Sequence, residues 1–344
     1  MVRSCLFGEF VIAGADSLKR LISLAVSGTI LAILFYKVDR HQLMTYLSAT
    51  RWHWFALALF MFVPQIALIA ARWRRLVGVF AHVSWREAIE QILASNTMNL
   101  VLPSKMGDLA KGVFLQRMGR LDLGRALNVV IFEKMLDVAT LAAIMLLGVI
   151  LAVIRGDLTA QLLHAALLAA VLGACAVVTV GILYFVPPER IPGFVSLLQW
   201  LKGRPKLAKV ERFVTAGHET ISLLQERGAQ RLLICLLSVA IWISHLAQIY
   251  FFFLALGATP LPVLQFITMV PLAIFIGLIP LTIAGFGTRD GALIALFPQF
   301  PPSLMLGVAM YVNLRYVIPA LAGMPFLNKY LIYAKELASR SRDS

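Results

Sequence analysis

Residues 95–137 read SNTMNLVLPSKMGDLAKGVFLQRMGRLDLGRALNVVIFEKMLD. The stretch lies within a strongly apolar chain, yet Pro103 and Gly107 interrupt its apolar run. It also carries several ionisable side chains, chiefly Lys105, Asp108, Lys111, Glu133, Lys134 and Asp137. Charges and backbone breaks are costly at membrane depth, and proteins tolerate them there where they face the protein interior or a water-filled cavity. We therefore expect the functional site to include this stretch.

The composition of the chain identifies its class. Of its 344 residues, 60% are hydrophobic and only 14% are charged, whereas a soluble domain has about 25% charged residues. The net charge is +14, but the basic residues lie in the connections between apolar runs rather than in one basic domain. This distribution is typical of a polytopic membrane protein and favours anionic lipid, not nucleic acid, as its partner.

Six apolar runs predict helices that cross a bilayer, whose core demands about 20 residues. The second run begins at Trp52, and Arg72, Arg74 and Arg75 follow it as a basic flank at the membrane surface. The predicted crossings are residues 21–36, 52–71, 126–154, 158–186, 232–256 and 305–327.

Two further segments contain apolar runs that are too short to cross singly. Residues 85–118 are broken at Pro103 to Asp108, and residues 261–300 are broken at the sequence IPLTIAGFGTRDG. We interpret both as re-entrant helical hairpins, the first entering from the cytoplasm and the second from outside. Broken helices of opposite topology that meet near the midplane are typical of inverted repeats.

The sequence therefore predicts an all-α polytopic membrane protein with about six crossing helices and two re-entrant hairpins in an inverted-repeat arrangement. Residues 1–344 form a single transmembrane domain. Its one sizeable hydrophilic connection, residues 187–231, is predicted to be a basic cytoplasmic loop. Within this loop, residues 207–225 are expected to form a helix on the membrane surface.

The distribution of basic residues predicts the orientation of the chain. With both hairpins re-entrant, both termini are cytoplasmic, and 24 of the 31 Lys and Arg lie on the cytoplasmic side. These are 3 near the N-terminus, 9 in residues 72–125, 8 in residues 187–231 and 4 in the C-terminal tail. A full crossing by residues 261–280 would instead place the basic tail outside, against the positive-inside bias.

Arg289 and Asp290 are the most isolated charged pair, since no other Lys, Arg, Asp or Glu occurs between Arg231 and Arg315. A self-neutralising structural pair at the outer interface is one interpretation. The alternative is an anion site, because glycines at positions 285 and 287 would let backbone N–H groups approach an anion at the start of a half-helix. Intramembrane ionisable residues usually mark functional sites, which favours the second interpretation.

The stretch quoted first supplies the remaining candidates. Asp108 and Lys111 are three residues apart and share a helix face, although a cytoplasmic surface loop would contain such residues too. Glu133 and Asp137 are one turn apart, so both carboxylates face one side of a helix and need cationic partners there. The candidate partners are Lys105, Lys111 and Arg289, whereas Lys134 is expected to point elsewhere.

No motif predicts catalysis or a cofactor. Neither HExxH nor GxSxG occurs, the GxGD pattern of intramembrane aspartyl proteases is absent, and the cysteines and histidines have no metal-ligand spacing. We therefore expect no catalytic residue, no metal and no cofactor.

Four blocks, in order and at their spacings, carry a family resemblance that extends over residues 20–330. They are ARW at 71–73, NLVLPSKMGDLAK at 99–111, EKMLD at 133–137 and PLTIAGFGTRDGAL at 280–293. Together they resemble the lysylphosphatidylglycerol synthase transmembrane (flippase-like) family, as a stand-alone member without the aminoacyltransferase domain. Asp290 stands where glutamate is common in that family, and Lys111 stands where arginine is common.

The resemblance implies a translocase that moves a lipid with a polar, phosphate-containing headgroup across the cell (inner or plasma) membrane. The lipid would be an anionic phospholipid or a lipid-linked intermediate. The predicted substrate-binding residues are Lys105, Asp108, Lys111, Glu133, Asp137, Gly285, Gly287, Arg289 and Asp290.

Two other classes of function remain open. One is an accessory membrane subunit of an envelope lipid or glycan biosynthesis complex, with residues 187–231 as the surface that binds partner proteins. The other is an intramembrane enzyme that acts on lipid phosphate.

Overall fold

The computed structural model describes residues 15–101, 107–156, 160–186, 190, 193–201, 204, 207–226, 228–279 and 282–340. Regular secondary structure in these ranges is helical, without a strand. The predicted sites at Lys105 and at the prolines of both hairpin breaks lie outside the described residues. The structure thus confirms an all-α membrane protein.

The helices follow one another with short connections. The first half of the chain forms α1 (Ala15–Lys37), α2 (Arg40–Ser48), α3 (Trp52–Phe60), α4 (Phe62–Val77), α5 (Trp85–Val101), α6 (Leu109–Arg117) and α7 (Leu123–Arg155). The second half forms α8 (Ala160–Phe185), α9 (Phe194–Leu201), α10 (Ala208–Glu226), α11 (Gly228–Ala255), α12 (Val263–Leu278), α13 (Thr288–Leu296) and α14 (Pro302–Arg340).

Local sequence signals explain several helix ends. The Asp39 carboxylate accepts bonds from two backbone N–H groups at the start of α2. Ser84 and Glu87 form a reciprocal capping box at the start of α5, with bonds of 2.8 and 3.2 Å. Gly156 ends α7 in the left-handed conformation with φ +71°, which glycine adopts without a steric penalty.

Four helical segments are long and apolar enough to cross a membrane among the residues described: Trp52–Val77, Leu123–Arg155, Gly228–Ala255 and Pro302–Leu327. They coincide with four of the predicted crossings. The first comprises α3 and α4, which meet at Met61. The other two predicted crossings, in α1 and α8, contain the shorter apolar segments Leu24–Lys37 and Ala166–Ile182.

Both predicted hairpins are pairs of short helices of matching lengths. In the first, α5 has 17 residues and α6 has 9; in the second, α12 has 16 and α13 has 9. The α5 helix also contacts the 3-10 turn Ile283–Gly285 within the second break. The turn Ile283–Gly285 of the second hairpin therefore lies beside α5 of the first hairpin, whereas re-entry from opposite sides of the membrane remains a prediction.

Close helix packing positions the hairpins against the crossing helices. The α5 helix packs along α14, where the Thr97 hydroxyl donates to the Ala320 carbonyl at 2.7 Å. The α11 helix packs against α3 and α4, and Gln248 binds both the Ala58 carbonyl and the amide of Gln65. Small residues and buried amides of this kind hold membrane helices together, since lipid offers no hydrophobic drive between them.

The basic connection between α8 and α11 contains the predicted helix at residues 207–225, which the structure places at Ala208–Glu226. This α10 helix packs on the start of α7, where the Arg125 guanidinium donates twice to Glu219 at 2.9 Å. Its position at a membrane surface remains a prediction.

Candidate functional site

A cavity of about 480 Å³ opens between the two hairpins and the crossing helices. Its walls come from α4, α5, α6, α7, α11, α12 and α14, and Ala284 of the second break also lines it. Much of the wall is apolar. The charged side chains that line it are Arg72, Asp108, Lys111, Glu133, Lys134, Asp137 and Arg315.

Arg72 joins the two carboxylates of α7. Its guanidinium lies 2.6 Å from an Asp137 oxygen and 3.2 Å from a Glu133 oxygen, and it donates to Ser238 of α11 at 3.1 Å. Arg72 and Glu133 are each 1% exposed. The shared face predicted for Glu133 and Asp137 is therefore confirmed, but the assignment of Arg72 to a surface flank is wrong. The side of α4 that carries Arg72 faces α7 and α11, so this arginine is inside the protein.

Lys111 binds the other side of Glu133, as predicted. Its ammonium group forms an ion pair with that carboxylate and lies 4.5 Å from the centre of the Trp73 ring, within cation–π range. The indole N–H of Trp73 in turn donates to Gln91 of α5 at 2.8 Å. Neighbouring residues of α4 thus hold a carboxylate pair and a lysine, which gives the ARW block a structural explanation.

Lys134 connects the first hairpin to α7. Its ammonium group lies 3.0 Å from Asp108 and 3.3 Å from Asp137, and Asn99 donates to Asp108 at 3.2 Å. The expectation that Lys134 points away from this cluster is wrong. Lys134 and Asp137 are three residues apart on α7 and share a face, and the long lysine stem then reaches across to the hairpin.

Arg289 and Asp290 form a second cluster on α13. Their charged groups lie 3.5 Å apart, and Asn313 of α14 binds both, accepting from Arg289 and donating to Asp290 at 3.2 Å. The Gly287 N–H donates to Asp290 at 2.9 Å, so the chain's own carboxylate already occupies the anion position at the start of this helix. Neither Arg289 nor Asp290 is among the residues that line the cavity.

The two predicted glycines are required by close packing. Gly285 has φ +78°, and a Cβ there would lie 2.8 Å from the Gly277 carbonyl oxygen. Gly287 has φ +91°, and a Cβ there would lie 2.9 Å from Ile30 of α1. These contacts bring α1 and α12 against the second break. An exposed cradle of N–H groups remains a prediction.

Arg315 is a cavity residue that sequence reasoning left without a role. It lies on α14, and no described residue forms a hydrogen bond with its buried Nε and Nη1 atoms. The signal for it was present in the sequence, because it is a single cation in an apolar run of membrane length. Lys134 had the weaker signal of lying beside carboxylates that need partners, whereas Arg72 is 61 residues from Glu133 along the chain.

The structure therefore sorts the predicted site residues into two groups. Asp108, Lys111, Glu133 and Asp137 meet in one network that lines the cavity, together with Arg72 and Lys134. The second group consists of the glycine, arginine and aspartate positions of α13 and the turn before it, which support the opposite wall. No group of three or more His, Cys, Asp or Glu that could hold a metal occurs within the described ranges.

Comparison with known proteins agrees with this architecture. The chain is 27% identical over 250 residues to a UPF0104 membrane protein of Methanothermobacter thermautotrophicus, which covers 67% of this chain and 71% of that protein. The family model described as lysylphosphatidylglycerol synthase TM region matches residues 20–323, which include both hairpins and every charged residue of the cavity. The chain thus belongs to the lysylphosphatidylglycerol synthase TM region family.

Proposed function

We propose that this protein is a translocase that moves a lipid with a phosphate-containing headgroup across the membrane. The observation that carries the proposal is the cavity, because a chamber lined by charged side chains among membrane-length helices is a place where a polar headgroup can leave the bilayer. Its volume of about 480 Å³ lies within the range of small-molecule sites. Membership in a lipid-related family supports the same class of substrate.

In this proposal the headgroup enters the cavity while the hydrocarbon chains stay in the bilayer. The network of Arg72, Glu133 and Asp137 has few unsatisfied groups, so it would fix the shape of one wall rather than exchange partners with substrate. The hairpins would re-enter from opposite sides as an inverted repeat, and small movements of the two hairpins against the crossing helices would open the cavity to each leaflet in turn. No nucleotide-binding loop occurs in the sequence, and facilitated or ion-coupled transport is proposed accordingly.

Translocation is tested with the full-length protein in proteoliposomes that contain fluorescent phosphatidylglycerol, by dithionite quenching of the outer leaflet. We expect quenching to proceed beyond the outer-leaflet fraction, because labelled lipid from the inner leaflet becomes accessible. Liposomes that hold an unrelated membrane protein at the same density are the control. Quenching that stops at the same level in both would contradict the proposal.

The same assay tests the predicted phosphate-binding role of Arg289. Arg289→Lys keeps a positive charge near Asp290 but loses the planar guanidinium fork that suits phosphate. If Arg289 binds the headgroup, the variant translocates slowly even when it elutes as a monodisperse peak. A wild-type rate would assign Arg289 to structure alone, in keeping with its contacts to Asn313 and Asp290.

We also propose that the protein lies in the cell membrane with both termini in the cytoplasm, because this orientation places 24 of the 31 basic residues there. An enzymatic reporter that is active only in the cytoplasm should therefore work when it is fused after Ser344. The matched control is a reporter that is active only outside, fused at the same position. Activity of that second reporter would reverse the position of the C-terminus.

A further inference from the structure

The cavity contains a set of hydrogen-bond donors that the protein itself leaves unused. Arg315 contributes Nε and Nη1, and no described residue binds either atom. Trp242 and His245, one turn apart on α11, contribute Nε1 and Nδ1, which are likewise buried and without a described partner. All three residues line the cavity. Leaving buried polar groups unpaired is costly, so several in one chamber call for an explanation.

These three residues face one chamber. The His245 ring packs edge-on against Trp242 with centroids 5.5 Å apart, and Arg315 of α14 lines the same cavity. The indole nitrogen is only a donor and the guanidinium is only a donor, while His245 donates from Nδ1 in one of its tautomers. The three side chains therefore suit a ligand that accepts hydrogen bonds, and Arg315 supplies a full positive charge.

The charges of the cavity indicate how much negative charge the ligand carries. The described lining residues include four cations and three carboxylates. Arg72, Lys111 and Lys134 each form an ion pair with one or two of those carboxylates. Arg315 forms no ion pair with any described residue, and the ring that lies 5.9 Å from its guanidinium, Tyr316, supplies no carboxylate. Among the described lining residues, one positive charge is therefore not balanced by a carboxylate.

We propose that Arg315, Trp242 and His245 form a binding site for one monoanionic phosphate ester. The inference rests on the proposed function, since in a translocase this site would hold the headgroup phosphate inside the cavity. The phosphate oxygens accept from the guanidinium and the indole N–H, and the ester substituents extend toward the remaining cavity wall. There Asn99 presents an Oδ1 that accepts no hydrogen bond from the described residues and can accept from a hydroxyl or ammonium group.

The site is tested by binding to purified full-length protein in detergent, with thermal stabilisation and tryptophan fluorescence as readouts. Dihexanoyl phosphatidylglycerol should bind the wild type, whereas the neutral dihexanoylglycerol should not. Arg315→Gln should weaken binding about tenfold to a hundredfold, because a bond to a charged group is lost. Trp242→Phe keeps the ring and removes one neutral donor, so a loss of about fivefold is expected by thermal stabilisation. Arg155→Gln, an exposed arginine at the end of α7, should bind as the wild type does.

A stability measurement separates a ligand-binding role from a structural one. Without ligand, Arg315→Gln should unfold at the wild-type temperature or above it, because the buried cation has no counter-ion to lose. A lower unfolding temperature for this variant would mean that Arg315 supports the fold, and would overturn the proposal. If Arg315→Gln cannot be purified, the site is tested by the affinity of Trp242→Phe for dihexanoyl phosphatidylglycerol.

Two further probes decide the source and charge of the ligand. Glycerophosphoglycerol is the same phosphate ester without acyl chains. If it binds as tightly as the short-chain lipid, the anion site is supported and its ligand is a soluble phosphate ester rather than a lipid. Tighter binding of farnesyl diphosphate than of the short-chain lipid would contradict the proposal that the ligand carries one negative charge. Unchanged affinity of Arg315→Gln for the short-chain lipid would overturn the proposed site. If binding depends on Arg315 but no translocation occurs in proteoliposomes, the binding site is supported and the proposed translocase function is contradicted. If translocation occurs but binding does not depend on Arg315, the translocase function is supported and the binding site is contradicted.

Discussion

Replacing Arg72 by leucine should lower the free energy of unfolding by about 3–5 kcal/mol, one of the largest effects expected of a single side chain here. The guanidinium is 1% exposed and lies within 3.2 Å of carboxylate oxygens of both Glu133 and Asp137. Its removal leaves Asp137 with Lys134 alone and Glu133 with Lys111 alone. Losing one member of a buried ion pair costs far more than losing an exposed pair, because the remaining charge stays desolvated.

The measurement is reversible unfolding in mixed micelles, followed by circular dichroism. Arg120→Leu is the matched control, since the side chains of Arg120 and its partner Glu87 are 40% and 23% exposed and their ion pair should contribute less than about 1 kcal/mol. Arg72→Lys should fall between the two, because one ammonium group cannot bridge both carboxylates as the planar fork does. Equal stability of Arg72→Leu and Arg120→Leu would refute a structural role for the network.

Gly323→Ala should be comparably damaging, although it adds a single methyl group. A Cβ at this position would lie 2.0 Å from the Leu93 carbonyl oxygen and 2.4 Å from the Thr97 hydroxyl. The first contact is with backbone, so it can be relieved only by moving α5 away from α14. That shift breaks the bond from Thr97 to the Ala320 carbonyl. Overpacking typically costs about 1–3 kcal/mol, and a clash with backbone should lie at the upper end or beyond.

Gly181→Ala provides the control for this prediction. Gly181 is also inside an apolar helix, α8, but a Cβ there meets no atom within 4 Å. That variant should be as stable as the wild type or slightly more stable, because alanine is the better helix former. Unfolding is compared in the same micelles. Equal stability of Gly323→Ala and Gly181→Ala would mean that α5 and α14 can move apart without a loss of stability.

The Gly323 variant should also weaken headgroup binding, because α5 carries Ser95, Asn96 and Asn99 on the cavity wall. Movement of α5 displaces this wall relative to Arg315 on α14. Stability and binding should therefore fall together at this position, whereas Arg315→Gln should reduce binding alone. The contrast separates the scaffold of the cavity from its ligand contacts.

The sequence by itself determined the membrane class, most of the crossing helices and the two interrupted hairpins. These features depend on local hydropathy, helix period and backbone breaks, which act over a few turns of chain. The same local geometry placed Glu133 and Asp137 on one face and showed that they need cations. It also indicated that α10 forms in the basic connection.

Only the tertiary structure decided which cations pair with Glu133 and Asp137. Arg72 is 61 residues from Glu133 along the chain, and its position after an apolar run is equally typical of a surface flank. Arg289 carries the stronger local signal, yet it binds Asn313, whereas Arg315 lines the cavity with two nitrogens that no described residue hydrogen-bonds. The pairing of buried charges depends on how distant helices pack and rotate against one another, and helix period within one segment does not specify that packing.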